Sequence, residues 1–396
     1  MMKEMEMKRV PKLRFPEFTD DWEQRKLGEL ALFNPKDELP QTFEYVDLES
    51  VVGTVMLSHR TEEKSSAPSR AQRLAHTGDL FYQTVRPYQK NNYLFEMPDN
   101  NYVFSTGYAQ MRPYVDGYFL LSLVQSDRFV KVVLDNCTGT SYPAINANDL
   151  AEIEVATPSD ENEAQKIGTI FRNFDHLITL HQRKLEKLKE LKKGLVQKLF
   201  SQEVRFKADD GSEFPKWEEK RLSGLFGKVI EKNRLDLPAL TIIQGYGTIR
   251  RDESERKITY DEKGLKNYKA VQKDDFIVHL RSFEGGLEIA NQDGIVSPAY
   301  HVYRGNDEVH PLFYYPYFRS SRFIKGKIAV CVTGVRDGKN IEMGAFDELL
   351  IPHPCLAEQQ KIAECLSALD DVIEKQKATL AAWEELKKGL LQQMFV

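Results

Sequence analysis

The chain has 396 residues, 41% of them hydrophobic, and a formal net charge of −5. Its length predicts two or three domains, and its longest apolar run, Tyr118–Val124, is too short to cross a bilayer. No apolar segment follows the N-terminal charges, so we expect no secretory signal and a cytoplasmic location. The four cysteines are isolated, which disfavours a disulfide framework and a zinc site. Mild acidity disfavours nucleic-acid binding overall but permits a local basic surface.

Residues 1–157 predict the first of two α+β domains. Runs rich in aromatic and β-branched residues alternate partly with polar residues, as strands do, and "GYFLLSLVQSDRFVKVVL" predicts helix between them. Residues 203–353 predict a second domain of the same class, in which "DDFIVHLRSF" is a clear strand. Each region is long enough to bury its own core.

Each predicted domain is followed by one long predicted helix, at 158–202 and at 354–396. Apolar residues recur there at alternating spacings of three and four, which is typical of a coiled-coil seam. A helix of about 40 residues spans about 60 Å, and its most economical partner is the other helix. The predicted contact residues of the two helices are Ile167, Phe174, Leu188, Leu191, Ile362, Leu369, Trp383 and Leu386.

The two halves of the chain repeat one sequence frame at an offset of 195 residues. "EAQKIGTIFRNFDHLI" at 163–178 lies over "EQQKIAECLSALDDVI" at 358–373, and the offset continues without a gap to "ELKKGL", which occurs in both helices. Upstream, "WEQRKLGEL" lies over "WEEKRLSGL", and "GDLFYQTVRPY" over "KDDFIVHLRSF". One offset across all these islands indicates a tandem duplication. The divergent stretches between them predict two specificities on one architecture.

The hexapeptide "ELKKGL" places a glycine inside each long helix, at Gly194 and Gly389. A glycine in a helix interior costs about 1 kcal/mol relative to alanine. Apolar spacing continues beyond both positions, so neither glycine ends its helix. We predict that each glycine permits a close backbone approach, either to the other helix or to a partner subunit.

Enzyme signatures are missing from the sequence. "GVRDGKN" has neither the spacing nor the hydroxyl of a phosphate-binding loop, and the sequence contains no nucleophile elbow and no H-E-x-x-H. The Asn-Pro-Pro-aromatic motif of adenine methyltransferases is also missing. We therefore expect no catalysis by this chain.

The duplicated islands closely resemble the type I restriction–modification specificity (S) subunit, over nearly the whole chain. "AEQQKI" before the second helix is the most specific element, and the first copy departs from it by reading "NEAQKI". The resemblance implies an α+β fold with pseudo-two-fold symmetry. In it, two tandem target-recognition domains, 1–157 and 203–353, each read one half of a bipartite DNA target. The helices at 158–202 and 354–396 form an antiparallel coiled coil that separates them.

The resemblance also implies partners. The coiled coil sets the spacing of the half-sites and docks two methyltransferase (M) subunits, which carry S-adenosylmethionine. Restriction/translocase (R) subunits, which carry ATP and magnesium, complete the nuclease, so this chain directs adenine methylation and restriction without a cofactor of its own. Half-sites one turn apart lie about 34–36 Å apart, a distance that about 23 helical residues span at about 1.5 Å each.

Candidate DNA contacts lie at the ends of equivalent strands. Arg86 and Arg281 close two aromatic strands, and an arginine can donate to both O6 and N7 of guanine. An ion pair with Asp79 or Asp274, which the offset also matches, is the structural alternative, and both interpretations stay open. The candidate residues at these strand ends are Arg86, Tyr88, Lys90, Asn91, Arg281 and Ser282.

A second pair of candidate loops, 138–146 and 333–340, also occupies matching positions. Their small hydroxyl residues and glycines allow the backbone to approach a phosphate closely, and two residues of the second loop add positive charge. Ordinary turns are the alternative. The candidate residues in these loops are Thr138, Thr140, Ser141, Tyr142, Thr333, Arg336, Lys339 and Asn340.

Two other functions compete with a DNA-binding specificity subunit. A coiled-coil scaffold that binds only protein fits the helices, and salt-dependent, sequence-selective binding of duplex DNA discriminates against it. A stand-alone nuclease or methyltransferase requires activity of the chain alone with magnesium or S-adenosylmethionine.

Overall fold

The structure is a computed structural model that describes residues 10–98, 101–139, 141–254, 262–279, 286–334 and 340–396. The chain divides into two compact units. The first unit comprises Met1–Arg183 and Lys377–Val396, and the second comprises Lys184–Gln376. Each unit therefore contains one α+β region and one segment of each long helix. No helix in the described part of the chain is long and apolar enough to span a membrane.

The first α+β region consists of two four-stranded sheets with short helices beside them. Its strands are β1 (Glu23–Lys26), β2 (Ala31–Phe33), β3 (Thr42–Val46), β4 (Val51–Val52), β5 (Val55–Met56), β6 (Arg60–Glu63), β7 (Ala71–Leu74), β8 (Leu80–Gln83), β9 (Tyr93–Leu94), β10 (Tyr102–Ser105), β11 (Tyr108–Pro113) and β12 (Glu154–Thr157). Its helices are α1 (Leu27–Leu30), α2 (Gly117–Gln125), α3 (Asp127–Asp135) and α4 (Ala147–Ala151).

The sheets of the first region follow the orders β6-β3-β10-β7 and β2-β11-β8-β9, and two further pairs are β1-β12 and β4-β5. Only β3 and β10 pair in parallel within the first of these sheets. The predicted helix after β11 is observed as α2 and α3, because Ser126 between them caps α3 by accepting a hydrogen bond from the Phe129 amide. Trp22 is buried in the core that α2 covers.

The second α+β region repeats the plan of the first. Its strands are β13 (Glu218–Arg221), β14 (Phe226–Val229), β15 (Leu240–Ile243), β16 (Gly247–Arg250), β17 (Lys269–Val271), β18 (Phe276–His279), β19 (Glu288–Ile289), β20 (Gly294–Val296), β21 (Tyr300–Gly305), β22 (Val332–Thr333), β23 (Asn340–Ile341) and β24 (Leu350–His353). Its helices are α6 (Leu222–Leu225), α7 (Pro311–Phe318), α8 (Ser321–Gly326) and α9 (Met343–Asp347).

The order β14-β21-β18-β19 in the second region matches β2-β11-β8-β9 in the first, and β13-β24 matches β1-β12. Both matches involve antiparallel pairs only. The described structure therefore confirms the predicted α+β class and the duplication.

The two long helices are α5 (Glu161–Phe200) and α10 (Leu356–Met394), close to their predicted bounds. Within the first unit they run antiparallel. The ring centroids of Phe171 and of Phe395, one residue beyond the end of α10, lie 5.9 Å apart, and those of Phe174 and Trp383 lie 5.8 Å apart. Later residues of α5 therefore meet earlier residues of α10.

The helix segments of the second unit also run antiparallel. Leu199 near the end of α5 and Ile362 near the start of α10 lie in one buried cluster, whereas Lys192 of α5 pairs with Asp370 further along α10. The predicted antiparallel pairing is thus confirmed within each unit.

An ion pair of the helices recurs in the two units. Asp175 pairs with Lys387 at 2.5 Å in the first unit, and Lys192 pairs with Asp370 in the second. The offset of 195 residues converts Asp175 to Asp370 and Lys192 to Lys387. This repeated contact is a physical reason for the aspartate and the first lysine of "ELKKGL" to occur in both halves.

The predicted seam is wrong at two places. Leu191 and Leu386 are 60% and 48% exposed, because the neighbouring lysines of the repeated ion pair point inward instead. Phe171, which the seam did not include, is fully buried, and its repeat partner Leu366 is 2% exposed. Among the other predicted contacts, Ile167 and Ile362 are buried, and Phe174, Leu188, Leu369 and Trp383 are half-buried.

The two helical glycines make no close backbone contact with the other helix. A Cβ at Gly194 would meet no atom within 4 Å, and a Cβ at Gly389 would meet only the side-chain amide of Gln393, at 4.0 Å. The prediction of a close approach between the helices is therefore wrong, and a contact with a partner subunit stays a prediction.

Candidate nucleic-acid interface

A strained turn follows strand β8 in the first unit. Arg86 has φ 55° and ψ 55°, and Lys90 has φ 55°, so two non-glycine residues in the left-handed region flank the 3₁₀ turn Pro87–Gln89. Such conformations cost about 1–2 kcal/mol each in ordinary residues. They persist where surrounding contacts enforce them, which is common at functional sites.

Backbone hydrogen bonds hold this turn to the second predicted loop. The Arg86 amide donates to the Pro143 carbonyl at 2.8 Å, and Thr138 and Ala144 exchange two bonds of 2.9 and 3.0 Å. Val85 and Ala144 form a further antiparallel bridge. The structure therefore brings together the candidate loops at 86–91 and 138–146, which lie more than 40 residues apart in the sequence.

The side chain of Arg86 lies on an aromatic ring. Its guanidinium carbon is 4.5 Å from the centroid of Tyr142, which is 64% exposed. In the described part of the chain the guanidinium makes no ion pair. A cation–π contact at an exposed site is worth about 0.5–1 kcal/mol, and it leaves the five N–H donors of the guanidinium available to a ligand.

The alternative ion pair between Arg86 and Asp79 is wrong. Asp79 is fully buried, and its carboxylate accepts two hydrogen bonds from Arg112 on β11, of 2.9 and 3.0 Å. Gln110 and the His76 amide donate to the same carboxylate. The bonds to Asp79 raise the pKa of Arg112, although its partial burial opposes this. Arg86, which follows β8, therefore does not form the ion pair that was the alternative to a DNA contact.

The remaining candidates of the first unit divide into two groups. Lys90 donates to the Gln125 carbonyl at 2.9 Å and pairs with Asp127, and the side-chain oxygen of Asn91 accepts from the Gly53 amide at 2.8 Å. These two residues therefore shape the turn. The exposed candidates around Arg86 are Tyr88, Thr138, Ser141 and Tyr142. Thr140 lies outside the described residues.

In the second unit, Thr333 and Asn340 are exposed and pair with each other across β22 and β23. Arg281, Ser282, Arg336 and Lys339 lie outside the described residues. The structure thus describes the two ends of the second candidate loop, 333–340, which lie side by side.

The repeat offset changes by one residue at strand β18. Asp275, not Asp274, corresponds to Asp79, because Arg304 on β21 donates to it twice at 2.7 Å as Arg112 does to Asp79. Asp274 has φ 73° and occupies the place of Gly78, whose φ is 95°. The predicted pairing of Asp79 with Asp274 is therefore wrong by one position.

Sequence reasoning missed a buried ion pair that occurs once in each unit. The guanidinium of Arg14 binds both carboxylate oxygens of Glu163, at 2.7 and 2.8 Å, and Arg205 binds both oxygens of Glu358, at 3.1 and 2.7 Å. Both glutamates belong to the repeated "E-x-Q-K-I" island that begins each long helix. The bonds raise the pKa of each arginine. Each of these arginines belongs to an Arg-Phe dipeptide that precedes the Trp-Glu motif of its half of the chain, and this repeat was the signal in the sequence for the ion pair.

An open cleft of about 800 Å³ lies between β9, α2 and α5 in the first unit. Its charges are largely matched within the chain: Arg172 pairs with Glu96 at 3.2 Å, and Lys387 with Asp175. The described residues contain no cluster of three or more potential metal ligands. Among the described residues of the first unit, the partly exposed Arg86 on the exposed ring of Tyr142 is consequently the feature best suited to an anionic, base-bearing ligand.

Comparison with known families shows what kind of protein presents this arrangement. The family described as the type I restriction modification DNA specificity domain matches the chain twice, over residues 19–190 and 215–382. The chain belongs to this family. Each match contains one α+β region and most of the long helix that follows it, so the specificity subunit carries two copies of the domain.

Named relatives agree with this assignment. The specificity subunit resembles the MjaVIII specificity subunit of Methanocaldococcus jannaschii, a type I restriction enzyme component, with 27% identity over 299 residues, 70% of this chain and 68% of that protein. A protein of the same organism provisionally named the MjaX specificity subunit is 26% identical over 360 residues, 86% of this chain and 77% of its own.

Solved structures share the fold of the specificity subunit. The S subunit of a type I restriction–modification system from M. genitalium superposes with a TM-score of 0.58 and 16% identity, covering 98% of this chain and 99% of that one. A chain from a study of complex assembly and conformational transition in a type I system superposes with a TM-score of 0.59 and 20% identity, covering 96% and 98%.

Proposed function

We propose that this specificity subunit binds double-stranded DNA of bipartite sequence, and that each α+β region reads one half of it. The observation that carries the proposal is the Arg86–Tyr142 pair, a partly exposed arginine without a carboxylate partner in the described chain, held on a strained turn. A strained turn that carries an arginine without an acidic partner supports a ligand-binding role, because strained backbone conformations cluster at functional sites.

The chemistry of this pair suits the edge of a base pair. A guanidinium presents two parallel donors in a fixed plane, which matches O6 and N7 of guanine in the major groove. The ring of Tyr142 restricts the rotamers of Arg86, so less side-chain entropy is lost when the donors bind. Thr138 and Ser141 lie in the loop that is hydrogen-bonded to the same turn, and we propose that their hydroxyls contact phosphates.

The proposal extends to the partners of the complex. The long helices set the spacing of the two half-sites and dock two methyltransferase subunits, which hold S-adenosylmethionine and methylate adenine. Restriction subunits with ATP and magnesium join them, and the specificity subunit itself is not catalytic. Support comes from the membership in the specificity family and from the exposed Leu191 and Leu386 at equivalent places of the two helices.

The test is the sequence preference of the complex with its methyltransferase, measured on a library of DNA targets. Arg86→Ala is expected to relax selection at one position of one half-site and to cost about 10- to 100-fold in methylation rate, the equivalent of a bidentate base contact. Arg86→Lys is expected to recover little of the lost methylation rate, since a lysine cannot donate two parallel hydrogen bonds to one base.

Arg25→Ala is the matched control, because Arg25 is likewise partly exposed but pairs with Glu29 on its own segment at 3.4 Å. It is expected to leave the preference unchanged. An unaltered preference in Arg86→Ala would remove this arginine from the interface. If the complex shows no salt-dependent, sequence-selective binding of duplex DNA, the protein-only scaffold is favoured instead.

A further inference from the structure

A small hairpin of the first unit exposes apolar side chains. In the hairpin of β4 and β5, Val51 is buried and Met56 packs on a core cluster, whereas Val52 and Val55 are 56% and 48% exposed. Leu57, next along the chain, is 66% exposed. Three large apolar residues on one exposed element are unusual for a surface that meets only water. The stability of the hairpin does not require these exposed residues, because Val51 and Met56 on its inward face make its contacts with the core.

The hairpin is fastened to the turn that carries Arg86. The amide of Gly53 at its tip donates to the side-chain oxygen of Asn91 at 2.8 Å. Gly53 has φ 61°, a conformation that glycine adopts without strain. Asn91 follows the left-handed Lys90, so the strained turn also orients the hairpin. The apolar tip is therefore continuous with the candidate interface.

The second unit has a corresponding tip, although its sequence is unrelated. The turn between β15 and β16 also offers a glycine amide, Gly245, which donates to the buried carboxylate of Glu288 at 2.9 Å. Glu288 lies on β19, the counterpart of β9, and is held by Arg319 and Tyr315. This tip exposes Tyr246 by 64% of its surface.

The two tips also occupy the same place in the topology. The first follows β3, which pairs in parallel with β10, and the second follows β15, before which Ala239 forms a parallel bridge to Ile295 on β20. In both units a glycine amide of the tip donates to a side chain near the equivalent strands β9 and β19, whereas the length and the exposed residues of the tip differ. Such variation on a common frame is expected of an element that determines specificity.

We propose that these tips are base-reading elements, and that the first places Val52, Val55 and Leu57 against the C5-methyl groups of thymines in the major groove. This inference rests on the proposed function. Apolar side chains recognise thymine through its methyl group, the one apolar feature on the major-groove edge of a base pair. The hairpin thus reads A·T pairs beside the pair that Arg86 reads.

The experiment replaces single thymines of the first half-site by deoxyuridine, which lacks only the methyl group, and measures methylation by the full complex. For the native chain, one or more substitutions are expected to lower the rate about fourfold each, the value of burying one methyl-sized group. For the variant Val52→Ser, Val55→Ser, Leu57→Ser, the same substitutions are expected to have no effect. Ile230→Ser, which alters an 80% exposed residue of the second unit, is expected to retain the full penalty.

Three results would overturn the proposal. In the first, no deoxyuridine in that half-site affects the native chain. In the second, the penalty persists in the triple variant. In the third, the triple variant lowers the rate on every target while its preference is unchanged, as expected of a protein-docking surface. The proposed function is judged separately, by whether the native complex selects a bipartite target that Arg86→Ala alters.

Discussion

The buried Arg14–Glu163 pair provides a test of how each α+β region is joined to its long helix. The side chain of Glu163 is 1% exposed and that of Arg14 is 11% exposed. Replacing Arg14 with alanine leaves a buried carboxylate without its two charge-assisted bonds. Such losses cost about 3–5 kcal/mol, and we expect about 3 kcal/mol, because Arg14 reaches the surface and water can enter the space that its side chain leaves.

The second unit supplies an internal comparison. Glu358 accepts a third hydrogen bond, from the indole nitrogen of Trp217 at 2.9 Å, whereas the indole nitrogen of Trp22 is buried and finds no partner among the described residues. Arg205, at 25%, is also more exposed than Arg14. Removing Arg205 should therefore cost less, about 2 kcal/mol, since one strong bond to the carboxylate remains.

The measurement is equilibrium unfolding in urea, followed by tryptophan fluorescence. Arg14→Ala should lower the midpoint at an unchanged m-value, and Arg14→Met combined with Glu163→Met should recover most of the loss, because no buried charge is then left unpaired. Lys26→Ala, which breaks only a solvent-exposed pair with Glu152, should leave the midpoint unchanged. A loss below about 0.5 kcal/mol in Arg14→Ala would refute the reasoning, since that is the range of surface changes.

The helices yield further predictions. Either single charge reversal, at Asp175 or at Lys387, should lower the free energy of unfolding by roughly 0.5–1 kcal/mol, and the double variant with exchanged charges should restore it. The measurement is a double-mutant cycle of urea midpoints, in which additive losses would show that the two residues do not interact. Gly194→Ala and Gly389→Ala should each raise the free energy of unfolding by about 1 kcal/mol, because a Cβ would meet no atom within 4 Å at Gly194 and only the flexible Gln393 side chain, at 4.0 Å, at Gly389. If instead binding of the methyltransferase subunit, measured by calorimetry, weakens in these variants while Leu191→Ser has no effect, then the glycine rather than the exposed leucine contacts the partner.

Much of the architecture could be predicted because its sequence pattern occurs twice in the chain. The equal offset of the islands indicated two copies of one domain, and the helix bounds were predicted within a few residues, since apolar periodicity over about 40 residues is a strong signal. The predicted seam was wrong at Leu191 and Leu386. In both helices a lysine of the repeated ion pair, Lys192 or Lys387, takes the inward position beside a leucine, and periodicity alone cannot indicate that a charged residue points inward with a partner.

The contacts of the candidate site depended on long-range information. Arg14 and Glu163 are 149 residues apart, and nothing near either residue specifies the other. The pairing of Asp79 with Arg112 rather than Arg86 follows from the register of β8 against β11, which a one-residue slip would reverse. By contrast, the loops at 86–91 and 138–146 were both singled out from their residue types, and the structure brings them together.

The bipartite reading of DNA is tested most directly by the set of adenines that the native and Arg86→Ala complexes methylate in one genome. The native complex should methylate a two-part sequence with a constant spacer. The variant should retain the spacer and one half of the sequence and relax the other half alone. A single uninterrupted target sequence, or equal loss of selectivity in both halves, would contradict the assignment of one half-site to each α+β region.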